Sequence, residues 1–189
     1  MPKIVDPDTR RAEVVMAASK LLTSQGPEAL SMRKIADQAG CTIGLINHWF
    51  SSKDELISAV LDQAIASASE RTQRVDDMPG ATPEDVFREF LPLDEEKSEE
   101  LKIWLIFWAL SIGRPKLRQV SNVRLQEIRQ RLHNRVDDSD SISSDTERFV
   151  DTIMATLDGI AINALSDPDY WTGTRQKKTL RWLLDRITN

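Results

Sequence analysis

The chain is short of the residues that carry most chemistry. Its 189 residues include one cysteine, two histidines, one tyrosine and seven glycines. A lone thiol, Cys41, cannot close a disulfide within the chain, and with no basic neighbourhood it reads as a small apolar plug rather than a nucleophile. His48 and His133 alone leave few options for histidine-based catalysis or for a metal cluster. No phosphate loop, nucleophile elbow or matched carboxylate pair is found. An enzyme is therefore not expected, nor a cofactor or a metal. The longest strongly apolar run, Ile103 to Ile112, is too short to span a bilayer. The opening MPKIVDPDTRRAEVV lacks the apolar core and cleavage site of a signal peptide. A cytoplasmic protein with no membrane partner is expected.

Positive charge is outnumbered, with 25 Lys and Arg against 30 Asp and Glu. The net charge is −5, which by itself counts against a phosphate-binding protein. Its distribution matters more. Residues 1–55 hold seven basic and seven acidic side chains, so the whole acidic excess lies in residues 56–189. A neutral head on an acidic body can bind nucleic acid through a few well-placed cations.

What is present is helix. Apolar residues recur at a period near 3.6, alternating strand-like runs are absent, and prolines and glycines punctuate the pattern. The first helix follows Pro7 and stops at Gly26-Pro27. Ser31 caps a short helix with Met32, Ile35, Ala36 and Ala39 on one side, and Gly40 sits where a C-cap needs positive φ. A second short helix spans about 42–49 and buries Ile46, Trp49 and Phe50. Ser52 with Glu55 has the form of a capping box opening a long helix to about Arg74. Further helices are expected at about 83–91, 95–112, 115–136, 145–166 and 173–187, with a polar loop from Asp137 to Asp145.

Two short helices joined at a glycine turn can set the second in a DNA major groove. Ile35, Ala36, Ile46 and Phe50 can pack the pair on the first helix. Thr42, Ile43, Gly44, Leu45, Asn47 and His48 are then the outward candidates. Gly44 lets backbone approach DNA closely, Asn47 can pair with an adenine edge, and His48 can bond a base or phosphate. Ser31, Arg33, Lys34 and Lys53 lie near helix N-termini suited to phosphate.

The segment LSMRKIADQAGCTIGLINHWFSSKDEL resembles the DNA-binding signature of TetR-family repressors. In that signature a capped helix, an Ala-Gly turn, a short helix with a glycine, an aromatic-Phe pair (here Trp49-Phe50) and a Lys (here Lys53) follow one another. The form GLINHWF is similar to the choline-responsive BetI-type subgroup. LKIWLIFWALSIGRPKLRQVSNVRLQEIRQRL and DTIMATLDGIAINALSDP resemble that subgroup's C-terminal domain less sharply. The resemblance implies an all-α fold of about nine helices. A three-helix helix-turn-helix DNA-binding domain over 1–55 is joined by a long helix to an effector-binding and dimerisation domain over 56–189. It also implies a homodimer acting on double-stranded operator DNA, an effector pocket on the aromatic helix, and a dimer interface on the last two helices.

The residues agree in part. Val150, Ile153, Met154, Leu157, Ile160, Ala161 and Ala164 form a stripe wide for one-sided packing. Gly159, Ala155, Ala161 and Ala164 permit close helix approach. The last helix offers Leu180, Leu183, Leu184 and Ile187, with Trp182 off that stripe. Ile153, Leu157, Ile160, Ala164, Leu180 and Leu184 are the candidate interface residues, the other reading being that both stripes face the chain's own core. A dimer would place two recognition helices roughly 34–36 Å apart on a near-palindromic operator, or a multiple of that spacing. Trp104 and Trp108, one turn apart with Phe107 beside them, together with Asp158, Tyr170 and Trp171, are the candidate effector site. Aromatic faces with a carboxylate suit a quaternary ammonium cation, although a Trp pair at this spacing also serves as plain core. Choline itself rests on the resemblance alone. The residues leave open repression against activation, and a cationic effector against an apolar one. Glu95, Glu96, Glu99 and Glu100 read as a solvated helix start.

Overall fold

The structure, a computed structural model, describes residues 7–137 and 146–187. The stretch 138–145, most of the expected polar loop, lies outside the described residues. Within them the chain forms nine α-helices and one short 3-10 turn, with no strand.

Local chemistry sets the boundaries. Helix α1 (Pro7–Gln25) buries Val14, Val15, Ala17, Ala18, Leu21 and Leu22. It ends at Gly26, whose φ of 78° is open to glycine, and a 3-10 turn over Pro27–Ala29 follows. Ser31 Oγ accepts from the Lys34 N–H and opens α2 (Met32–Ala39). Gly40 closes it at φ 60°. The Cys41 N–H donates to Ala36 O at 3.0 Å and the Gly40 N–H to Asp37 O at 3.4 Å, a complete Schellman closure. Thr42 Oγ1 accepts from the Leu45 N–H at 3.2 Å and opens α3 (Ile43–Trp49).

Helix α4 (Lys53–Asp76) starts differently from expectation. Ser52 Oγ caps the Glu55 N–H at 3.2 Å, but the Glu55 carboxylate reaches past Ser52 to the Ser51 N–H and hydroxyl, both at 2.7 Å. Ser51 thereby holds the Glu55 carboxyl below its ordinary range. The reciprocal capping box is at Thr82 and Asp85, before α5 (Pro83–Arg88). That helix is shorter than the expected 83–91. Residues 89–91 continue in i to i−3 bonds, because Pro92 disfavours helical backbone at Leu91. Helices α6 (Glu95–Gly113), α7 (Pro115–Asp137), α8 (Thr146–Ser166) and α9 (Gly173–Ile187) complete the order.

By internal contact the chain forms two compact units. The first holds residues up to Ser67 with Lys102–Leu117, and the second Ala68–Leu101 with the chain from Arg118 onward. A division at residue 55 follows the end of the helix-turn-helix, whereas contact assigns the first half of α4 and the aromatic end of α6 to the first unit.

The first unit buries the α1 stripe with Leu30, Ile35, Ile46, Phe50, Leu56, Ile57, Val60, Leu61, Ile103 and Phe107. The second is built on Phe87, Leu91, Leu132, Phe149, Val150, Ile153, Leu157, Ile160, Leu180 and Leu184. Each large apolar side chain so buried contributes roughly 1.5–3 kcal/mol. Helix α8 is long and apolar enough to cross a membrane by length and composition. Seven of its residues, from Phe149 to Ala164, are instead buried, five of them in the core of the second unit.

Candidate nucleic-acid interface and effector site

The two caps and the Gly40 turn fix α2 and α3 on α1. Ile35, Ala36, Ile46 and Phe50 are buried, and the Arg11 guanidinium lies 4.9 Å over the Phe50 ring. The opposite side of α3 faces outward with Thr42, Ile43, Gly44, Asn47 and His48 exposed. Leu45 and Trp49, both placed among the DNA contacts, are half-buried, since each flanks the buried Ile46 side of the helix. Trp49 was also expected to be fully buried, and its ring keeps contact with His48 at 6.3 Å.

Gly44 is informative because nothing among the described residues requires it. It does not adopt positive φ, and a Cβ built there would meet only Thr42 Oγ1 at 3.8 Å. A glycine in a helix costs up to about 1 kcal/mol relative to alanine. That cost has no return within this fold.

Around the outward face, Ser31, Arg33 and Lys34 are exposed. Lys34 Nζ donates to Gln25 Oε1 at 3.3 Å. Lys53 is half-buried, and its ammonium donates to Pro27 O at 2.8 Å, pinning the start of α4 to the 3-10 turn. Next to it, Asp54 accepts from Arg114 Nη1 at 2.7 Å. That long-range pair had no signal in the sequence, because its partners stand 60 residues apart. Cys41 is half-buried, and burial raises its thiol above the ordinary value, in keeping with an inert plug.

The aromatic candidates fall in both units. Trp104 and Trp108, in the first, form a tilted pair with ring centroids 5.6 Å apart, and both are half-buried. Phe107 beside them is completely buried and serves as core. The indole Nε1 of Trp108 is buried without a hydrogen-bond partner among the described residues.

Asp158, Tyr170 and Trp171 belong to the second unit. Asp158 has no partner among the described residues, and burial pushes its carboxyl up to about 6. Trp171 packs on the core. Tyr170 departs from the expected cage: it is 56% exposed and the Arg175 guanidinium already sits 3.8 Å over its ring. A second cation at that face would meet repulsion. Tyr170 instead borders an open groove of about 700 Å³ shared with Asp169, Arg175, Lys178 and Trp182.

The candidate dimer residues need the plainest correction. Ile153, Leu157, Ile160, Ala164, Leu180 and Leu184 are all buried in the chain itself. The outer side of α8 carries Ala155, Ile162 and Asn163, with half-buried Gly159 beside them, and the outer side of α9 carries Trp182. Ile162 and Trp182 are 44% and 56% exposed.

The glutamates at the start of α6 are not all solvated. Arg71, 11% exposed, is paired with Glu100 through both guanidinium nitrogens, with Glu89 and Glu96 at 3.6 and 3.7 Å. Lys97 pairs with Glu89 at 3.0 Å.

Comparison with known proteins gives one pattern. Residues 14–60 match the profile of bacterial regulatory proteins of the tetR family, and residues 79–189 that of the BetI-type transcriptional repressor C-terminal domain. The chain is 26% identical to the HTH-type transcriptional regulator PksA of Bacillus subtilis over 192 residues, covering 99% of this chain and 94% of that one. It is 25% identical to the HTH-type transcriptional regulator BetI of Burkholderia mallei over 136 residues, 70% of each chain. Among solved structures, a transcriptional regulator from Rhodococcus sp. Rha1 superposes with a TM-score of 0.83 at 25% identity, covering 94% of this chain and 95% of that one. A regulator from Saccharomonospora viridis in complex with choline superposes at 0.81 with 19% identity, covering 95% and 97%, a likeness of fold.

Proposed function

This chain belongs to the TetR family of bacterial transcriptional regulators and carries a BetI-type C-terminal domain, and on that footing we propose that it is a homodimeric repressor released from its operator by a small cationic effector. The DNA-binding regulator is the family's character. Repression, the operator's symmetry and the effector are the proposal.

The single observation that carries it is the outward face of α3. Its cap at Thr42 and the Gly40 closure present Thr42, Ile43, Gly44, Asn47 and His48 together, with a glycine that the fold itself does not need. Asn47 reads an adenine edge, Gly44 admits close backbone approach, and Ser31, Arg33, Lys34 and Lys53 hold phosphates. Leu45 and Trp49 act as the apolar border of that face.

Two copies are joined through the outer sides of α8 and α9. Ile162 and Trp182 supply exposed apolar area, and Ala155 with Gly159 lets a partner helix come near, since a Cβ at Gly159 would meet nothing within 4 Å. This replaces the buried residues first expected there.

The effector belongs to the quaternary ammonium class, choline being its simplest member. The Trp104–Trp108 pair offers the aromatic faces that such a cation needs. A regulator of the same fold was solved in complex with choline. Effector and operator oppose each other because the effector favours a conformation in which the two heads are wrongly spaced. The DNA-bound form is the apo form, working in the cytoplasm.

The test is footprinting on the DNA upstream of the protein's own gene, paired with a transcription reporter. Two protected half-sites with centres about 10–10.5 base pairs apart, or a multiple, and a reporter that rises on adding choline, are expected. Protection without symmetry, or a reporter that falls when the regulator is removed, overturns the reading.

A further inference from the structure

The longest stretch of the chain without an acid, the 26 residues from Leu101 to Gln126, holds five Lys or Arg. Its middle is the turn from α6 into α7, which belongs by contact to the same unit as the helix-turn-helix. Arg114 fastens that turn to the start of α4, its Nη1 standing 2.7 Å from Asp54 Oδ1. Asp54 follows Lys53 directly, and a bare carboxylate there would repel a phosphate. The Arg114 guanidinium cancels that charge. Two residues on, the Lys116 backbone lies within about 7.6 Å of Arg114, the length of two Cα steps. Lys116 is exposed and has no ion pair or hydrogen bond among the described residues. The turn stands open: Ile112 is 82% exposed, and a Cβ on Gly113 would meet nothing within 4 Å.

We infer that the α6–α7 turn is a second phosphate-binding surface, at which Lys116 contacts the backbone of the same DNA that α3 enters. This rests on the regulator reading above and extends the footprint beyond the helix-turn-helix. Charge alone would also suit an acidic protein segment. Continuity decides for DNA: the turn is bonded to the first turn of α4, beside Lys53, and no uncompensated acid lies between Lys53 and Lys116 along that path. A lysine ammonium is a point charge on a flexible stem, so it holds a phosphate without demanding a particular base. Lys116 therefore supplies affinity and salt dependence and leaves sequence preference to α3.

The full-length wild type is compared with Lys116→Ala, Lys116→Arg and Lys177→Ala by fluorescence anisotropy across a salt series. The probes are a duplex from the DNA upstream of the protein's own gene and an unrelated duplex of equal length. Lys177 is an exposed lysine of the second unit, so its loss repeats the change in net charge away from the turn. For Lys116→Ala the slope of log affinity against log salt should fall by about 0.9 for each subunit on the DNA. Its affinity should drop about eightfold per subunit at about 0.1 M salt, equally on both duplexes, and the gap should close toward about 1 M. Lys116→Arg and Lys177→Ala should keep the wild-type slope, and thermal melts of all four proteins should coincide. An unchanged slope in Lys116→Ala, an equal fall in Lys177→Ala, or a loss confined to the upstream duplex overturns the inference. Selective binding by a wild type whose slope Lys116→Ala does not alter removes this inference and keeps the regulator. Wild type that binds neither duplex removes both together.

Discussion

Gly44→Ala should make the protein more stable and worse at its task. Gly44 sits in the first turn of α3 with ordinary helical backbone, and the added methyl would meet only Thr42 Oγ1 at 3.8 Å, an ordinary van der Waals separation. Alanine gains up to about 1 kcal/mol over glycine in a helix interior, and about half of that is expected in a first turn. For a chain of this length the melting temperature should rise by roughly 1–3 °C. On DNA the same methyl stands on the face between Ile43 and Asn47. It keeps the helix backbone from closing on the groove, at a cost of the order of one specific contact, roughly 1–3 kcal/mol. Operator affinity should therefore fall about tenfold or more, while binding to unrelated DNA, held by phosphate contacts, should hardly change. Denaturant or thermal melts and fluorescence anisotropy on matched and unrelated duplexes read both effects. A stabilised variant that binds the operator as tightly as wild type refutes the close approach. A destabilised one refutes the account of the site.

Three further outcomes follow from the same structure. Asn47→Ala should cost roughly 1–3 kcal/mol on the operator and relax selectivity, whereas Arg33→Ala should weaken all DNA alike and lower the salt slope by about one; a competition series across salt separates them. Ile162→Glu, on the outer side of α8, should dissociate the dimer in sedimentation with the helical signal retained, while the buried Leu157→Ala should lower stability by about 2–5 kcal/mol; a dimer that survives Ile162→Glu moves the interface elsewhere. Burial raises the Asp158 carboxyl to about 6, above the roughly 3.9 of an unfolded chain, so the folded form holds that proton more tightly. Stability then falls as pH rises from about 4 to about 6, and the cost is fully present above that. Asp158→Asn should thus be more stable than wild type at pH 7.5, by on the order of 1–2 kcal/mol given the partial exposure of the group, and equal to it at pH 4. Denaturant titrations at the two pH values read this, and a variant less stable at pH 7.5 contradicts it.

Helix positions were legible because they rest on local chemistry. Ser31, Gly40, Thr42 and Pro115 each act within a turn of themselves, and a period of 3.6 needs no partner to be seen. The α3 face was legible for the same reason: once Ile46 and Phe50 are inward, Asn47 and His48 must be outward. The failures are questions of which neighbour a side chain meets. An apolar stripe on α8 says that something covers it, not whether that is the chain's own α9 or a second copy. Here the chain's own core takes the stripe, and Ile162 and Trp182 remain outside. Tyr170 looked like a free aromatic face because Arg175, five residues on, carries no motif that announces stacking. The pairing of Arg71 with Glu100 spans 29 residues, and that of Arg114 with Asp54 spans 60. Contacts at such separations follow from packing and cannot be read from spacing.

Anisotropy of the purified protein on its own upstream DNA, across a salt series with and without choline, tests the central claim most directly. The account predicts saturable, sequence-selective binding with a steep salt dependence, weakened when choline is added. Binding that is equal on unrelated DNA at low salt, whether or not choline is present, would contradict it.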